Sequence, residues 1–227
     1  SDDTVIGLNV SGLLYFQCRD IGLETDYVEL TRRLIDWALA KPNVKLMLIP
    51  HVIRNEDKPR WWRREQYVGD ADDRAACRAA FEAWGGAKSD RICWLKGAHD
   101  AARVKYGIGR CDFFIGARMH SFIGATSQMI PGALLAYSKK AAGLSQLVGI
   151  GEAVVDLRTQ SAEACVDAVD RLFESRQALR SKLQQRIPEI KSEVSDFFSE
   201  ELAPLIYRCA GIDAPARTVE SAASHSP

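Results

Sequence analysis

The sequence predicts an α/β fold: a doubly wound parallel sheet of about six strands with helices on both faces. Three observations predict it. Short apolar runs alternate with segments of helical periodicity along most of the chain, which implies right-handed β-α-β crossovers. The runs are apolar at successive positions, as over residues 113–117, so both faces of the sheet are covered. Polar residues gather where the runs end, which is where ligands bind in open parallel sheets.

Residues 4–10 form the first strand, which ends in Asn9-Val10-Ser11-Gly12. Over residues 24–40, Tyr27, Leu30, Leu34, Trp37 and Ala38 recur at helical spacing, and Lys41-Pro42 stops them. The second strand, 44–49, terminates at Pro50-His51. Residues 52–69 are an irregular polar stretch holding Arg54, Asp57 and Trp61-Trp62-Arg63-Arg64. A loop of that length inside a compact domain is usually functional or mobile. Its tryptophans suit stacking on a sugar or contact with an anionic bilayer surface; core packing of one tryptophan and solvation of both arginines is the plainer alternative. Residues 70–84 read as a helix with Asp70, Asp72 and Asp73 at its amino end and Gly85-Gly86 beyond its carboxyl end.

A short third strand at 91–95 and a brief helix at 99–106 precede the fourth strand, 113–117, and a helical stretch at 122–126 follows it. The fifth strand spans 132–137. Ser138-Lys139-Lys140 opens a helix at 141–148, and the sixth strand spans 153–157. From Ser161 to about Arg208 the pattern is helical, with a break near Ser175 and a bend at Pro188. Residues 1–209 therefore read as one Rossmann-like domain, with 161–209 as its carboxyl-terminal helices. Residues 210–227 are small and polar and read as a disordered tail.

Bulk properties narrow the function classes. Thirty basic and thirty acidic residues cancel, so no overall basic field points to nucleic acid. No apolar run reaches the roughly 20 residues of a membrane span, and no signal-peptide pattern opens the chain. Six cysteines lie scattered without Cys-x-x-Cys or metal-ligand spacing, as expected of reduced thiols in the cytoplasm. Ser1-Asp2-Asp3 runs almost directly into a strand, as expected of a piece that begins inside a longer protein.

The candidate site follows from the strand ends. In the order 3-2-1-4-5-6, strands one and four flank the point where the winding reverses. Asn9 and Ser11 follow strand one, His51 strand two, Arg118, His120 and Ser121 strand four, and Ser138 and Lys140 strand five. The helix after strand four turns its unbonded N–H groups toward the same place and favours an anion there. The strand ends lack G-x-G-x-x-G and Walker glycines, a G-x-S-x-G elbow and H-x-x-H spacing. What remains is an inventory for holding a multiply charged anion, with an imidazole able to exchange protons near neutral pH. The plainer alternatives are that Arg118 pairs with a carboxylate, His120 caps its helix, His51 makes a structural hydrogen bond, and Asn9 and Ser11 satisfy backbone groups.

Residues 112–120 (Asp-Phe-Phe-Ile-Gly-Ala-Arg-Met-His) and 136–144 (Ala-Tyr-Ser-Lys-Lys-Ala-Ala-Gly-Leu) resemble the polysaccharide pyruvyl transferase family. So do Ile49-Pro50-His51-Val52 and the opening residues 7–12. The resemblance implies the carboxyl-terminal, donor-binding half of a two-domain fold like that of B-type glycosyltransferases, with the amino-terminal acceptor domain absent from this chain. It implies transfer of the enolpyruvyl group of phosphoenolpyruvate to sugar hydroxyls as a ketal, with no cofactor beyond that donor. The acceptor would be a sugar of a cell-surface polysaccharide, carried on a lipid in one version, and contact with the inner face of the membrane would be peripheral. By matching motif, His120 and Arg118 are the expected catalytic residues, and Asn9, Ser11, His51, Arg118, Ser121, Ser138 and Lys140 the expected substrate contacts. The chain departs from the family pattern at Arg103, Ala136 and Ala142, where relatives often carry an acid, a glycine and a basic residue. Two further readings stay open: a glycosyltransferase of B-type fold using a nucleotide sugar, and a non-catalytic anion-binding module in envelope assembly.

Overall fold

The computed structural model describes residues 3–53 and 72–212, without the side chains of residues 18–20, 140 and 142. Six strands form one parallel sheet: β1 (Thr4–Asn9), β2 (Val44–Leu48), β3 (Ile92–Trp94), β4 (Phe113–Gly116), β5 (Gly132–Ala136) and β6 (Val154–Asp156). Their order is β3-β2-β1-β4-β5-β6, the doubly wound arrangement expected. Register sets the geometry of the rim, because Leu8 pairs with Leu48 and Asn9 with Gly116. The last residues of β1, β2 and β4 thus stand side by side.

Helices α1 (Gly12–Ile21), α2 (Tyr27–Ala40), α3 (Asp73–Trp84), α4 (Ala101–Ile108), α5 (Met119–Thr126), α6 (Lys140–Leu147) and α7 (Ala162–Glu174) connect and follow the strands. The two phenylalanines that open β4 show how both faces are covered. Phe113 meets Phe173 of α7 edge-on, with ring centroids 5.4 Å apart, and Trp37 of α2 meets the same ring. Phe114 points the other way, into a cluster with Ile49, Val104, Ile108, Ala125 and Ile130. Successive strand residues face opposite sides, so a strand buried on both must be apolar throughout. Phe113, Phe114 and Ile115 are all fully buried.

Two elements differ from expectation. Helix α1 carries Leu13, Leu14, Tyr15 and Phe16 in succession and a non-helical Gln17, so no 3.6-residue period marks it in the sequence. Helix α5 starts at Met119 rather than beyond Ser121, which moves His120 and Ser121 from a turn into the first turn of a helix. The break after Glu174 falls where expected, and α8 (Arg176–Asp196) continues through Pro188. The chain divides into two compact units, Ser1–Ile187 and Pro188–Pro227. The second contains the end of α8, π-helical turns at Phe197–Leu202 and α9 (Ala203–Ala210). The tail expected at 210–227 lies outside the described residues from 213 onward. No helix among the described residues is long and apolar enough to cross a membrane.

Gly132 shows how closely β4 and β5 approach. A Cβ there would stand 1.9 Å from the carbonyl oxygen of Phe114, the residue with which Gly132 pairs. Gly132→Ala is therefore expected to lower stability by about 1–3 kcal/mol or more, the range for overpacking a filled site, read as a lower urea midpoint. An unchanged midpoint would contradict the strand register.

Candidate functional site

Among the described residues each of the six strands is followed in the chain by a helix that starts at the carboxyl edge of the sheet, and four of these helices are capped by a side chain. Ser11 accepts from Leu14 N in α1, Asp72 from Arg74 N in α3, Asp100 from Arg103 N in α4, and Ser161 from Ala164 N in α7. Such caps satisfy N–H groups that have no partner within the helix. The remaining two helices, α5 after β4 and α6 after β5, begin at Arg118 and Lys139 with no side-chain cap. Both open onto one cleft of about 310 Å³, lined by His51, Arg118, Met119, His120, Tyr137 and Ser138 over a floor from the end of β5.

Beneath this cleft lies the carboxylate of Asp73, the first residue of α3, wholly buried. Its Oδ1 accepts from Gly12 N at 2.8 Å and from Arg118 Nε and Nη2 at 3.3 and 2.8 Å. Its Oδ2 accepts from Val52 N at 2.9 Å, His51 N at 3.2 Å and Asn9 Nδ2 at 3.3 Å. Asn9 extends the network: its Nδ2 also donates to Ile49 O, and its Oδ1 accepts from Arg118 N and Ser121 Oγ. A buried carboxylate is tolerated only when its lone pairs are met in this way and a cation balances it.

These contacts sort the expected site residues. His51, Arg118, His120 and Ser138 line the cleft together. Asn9, Ser11 and Ser121 are expected ligand contacts, yet each side chain is completely buried. As placed they offer a ligand no surface; Asn9 and Ser121 hold the network, and Ser11 caps α1. Arg118 pairs with a carboxylate, the plainer of its two expected roles, while 14% of its side chain remains exposed at the cleft. Lys140 opens α6 beside Ser138, but its side chain is outside the described residues, as are Trp61, Trp62 and most of the long loop. His120 is exposed in the first turn of α5, and no side-chain cap bond forms there.

The two histidines face one another across the cleft with nearly parallel rings, 9° apart in plane and 6.5 Å between centroids. Burial lowers the pKa of His51; His120 and Arg118 add to the shift, and Asp73 opposes it. Among the described residues no group of three His, Cys, Asp or Glu side chains could hold a metal ion.

Asp73 is the residue that sequence reasoning passes over, because an acid at a helix start is ordinary dipole chemistry. The signal was present: Asp73, Ala76, Cys77 and Ala80 are the buried residues of α3, spaced i, i+3, i+4, i+7. An acid at the head of a buried stripe calls for a buried partner.

Residues 18–139 match the family model of the polysaccharide pyruvyl transferases. No curated protein matches the sequence. Among solved structures, the glycotransferase of kitacinnamycin is similar over 91% of this chain and 43% of its own, at 14% identity and a TM-score of 0.52. An α,α-trehalose-phosphate synthase (UDP-forming) from Burkholderia vietnamiensis is similar over 90% of this chain and 45% of its own, at 11% identity and a TM-score of 0.52. At such identities the likeness is one of fold. The chain spans less than half the length of these structures.

Two outcomes follow from the geometry. Removing one partner of a buried ion pair leaves an uncompensated charge, so Arg118→Ala is expected to cost about 3–5 kcal/mol in chemical denaturation. Because the folded chain lowers the pKa of His51 from its ordinary 6.5, the unfolded state binds that proton more readily. The stability tied to neutral His51 is complete above about pH 6.5 and is lost as pH falls through the lowered value. Urea midpoints are expected to drop between pH 7 and 5, with a smaller drop in His51→Gln; equal drops would remove His51 from the account.

Proposed function

Because the chain belongs to the polysaccharide pyruvyl transferase family, we propose that its cleft binds phosphoenolpyruvate and that the protein transfers the enolpyruvyl carbons to two hydroxyls of a sugar as a cyclic ketal. One observation carries this proposal: the two uncapped helix amino termini of the carboxyl rim converge with Arg118 and the histidine pair on one cleft. Free N–H groups at a helix start favour phosphate or carboxylate, and phosphoenolpyruvate carries both. The volume is at the small end for ligand pockets, which suits a compact donor better than a nucleotide sugar. Glu152, the acid nearest to a ribose anchor in the sequence, is instead paired with Lys182.

The chemistry needs two proton movements. The methylene carbon of the donor takes a proton to become the methyl group, and the cation that develops at the neighbouring carbon is attacked by a sugar hydroxyl. Phosphate leaves with its bridging oxygen, and the second hydroxyl closes the ketal. Of the two hydroxyl protons, one balances the proton given to carbon and the other leaves on phosphate. His120, exposed at the cleft, is the proton donor to carbon. His51, held toward its neutral form by burial, is suited to receive a proton from a hydroxyl or to accept a hydrogen bond from one.

Millimolar phosphoenolpyruvate is expected to raise the melting temperature of this chain, and no shift would count against donor binding. Turnover is measured as phosphate release by the natural full-length protein with a panel of acceptor glycans. His120→Ala is expected to lower that rate by about 10²–10⁴-fold, the usual contribution of a positioned acid. Its stability is expected to stay within about 0.5 kcal/mol, because the side chain is exposed. An undiminished rate would remove His120 from the mechanism.

A further inference from the structure

The buried carboxylate beneath the cleft has no assigned part in the chemistry, and its contacts give it one. Asp73 bonds both Nε and Nη2 of Arg118 through a single oxygen. Through the other it holds the backbone N–H groups of His51 and Val52, which begin the segment after β2. Gly12 N and Asn9 Nδ2 fasten the same carboxylate to the end of β1. We propose that Asp73 is a positioning residue of the transfer reaction: it aims the Arg118 guanidinium and fixes the backbone of His51, so that cation and imidazole face the cleft in a single arrangement.

The geometry favours this over a merely structural role. A carboxylate needed only to begin α3 would lie at its cap, and Asp72 already fills that position, accepting from Arg74 N at 2.7 Å. Asp73 is turned inward, and its partners belong to the ends of β1, β2 and β4. Arg118 is also gripped from its own backbone, since its N–H donates to Asn9 Oδ1 at 3.0 Å while Asn9 Nδ2 donates to Asp73. Main chain and side chain of the arginine are thus referred to the same buried acid. An arginine so held keeps one orientation, whereas a free one samples many. The carboxylate also bears on the histidine electrostatically, because it opposes the lowering of the His51 pKa.

The proposal rests on the pyruvyl-transfer reading for its kinetic readout. Asp73→Asn in the full-length protein is expected to lower kcat on the order of 10²-fold, the usual cost of misplacing a reacting group by about 1 Å, with KM changed less than about threefold. A positioning residue acts through its partners, here Arg118 and the His51 backbone, so adding Asp73→Asn to Arg118→Gln is expected to slow the reaction clearly less than Asp73→Asn slows the wild type. Losses that multiply, or a loss confined to KM, would overturn the proposal. Should Asp73→Asn fail to fold, Asp73→Glu, which keeps the charge one methylene further out, replaces it in the same comparison, with the same results supporting or overturning the proposal. Should the wild-type protein release no phosphate, the transfer reading fails by itself and NMR decides the positioning. Supporting results are an Arg118 Nε proton protected from exchange in the wild-type chain and a His51 pKa that falls in Asp73→Asn or moves in Asp73→Glu. A rapidly exchanging Arg118 proton, or a His51 titration indifferent to the variant, would overturn it.

Discussion

A single buried charge organises the carboxyl rim of this sheet. Taking a carboxylate out of water costs several kcal/mol even after relaxation, and the chain offsets that for Asp73 by surrounding both oxygens with donors. Those donors come from the ends of three adjacent strands, which the register places within reach of one another. Satisfying one carboxylate therefore fixes where β1, β2 and β4 let go of the sheet and in which direction the chain leaves. The cleft inherits its shape from that requirement.

The same charge changes how the cleft can attract an anion. The sequence leaves open whether Arg118 faces a ligand or a carboxylate, and in the structure Asp73 balances it. Under the proposed function, part of the attraction comes from partial charges that no carboxylate cancels. Those are the amino ends of α5 and α6, which are left without a side-chain cap while the other four junctions receive one. An uncapped helix start loses about 1 kcal/mol of local stability; Ser121 N and Ala141 N turn back to the carbonyls of Arg118 and Ser138, and N–H groups that do not turn back in this way can meet a ligand. The difference among the six junctions follows the position of the cleft.

Much of the fold was legible because strands buried on both faces must be continuously apolar and helices need their punctuation. The six runs, their alternation with helices, and stops such as Lys41-Pro42 and Gly85-Gly86 lie on the surface of the sequence. Helix α1 was not legible, since four apolar residues in succession carry no period. At the site, the motif residues His51, Arg118, His120 and Ser138 do line one cleft, because strand ends converge in any parallel sheet. The sequence does not reveal which polar residues face the ligand and which face inward. Asn9 and Ser121 have the composition of ligand contacts and the burial of core residues. Only the buried network around Asp73, on another helix, separates these roles: Asn9 bonds that carboxylate and Ser121 bonds Asn9.

That separation bears on what the motif means physically. Residues that sit together in the chain, such as Arg118, His120 and Ser121, satisfy two constraints at once. Ser121 donates to Asn9 and to the carbonyl of Arg118, so it belongs to the frame, whereas His120 one position earlier is exposed and belongs to the wall of the cleft. Helical geometry produces the split: neighbours in the first turn point about 100° apart, Ser121 inward to Asn9 and His120 outward to the cleft. Arg118 stands between the two, with its backbone and guanidinium tied to the frame and a small exposed fraction at the wall. A change at Arg118 therefore disturbs the frame and the cleft wall together, while a change at His120 alters the cleft wall and leaves the frame in place.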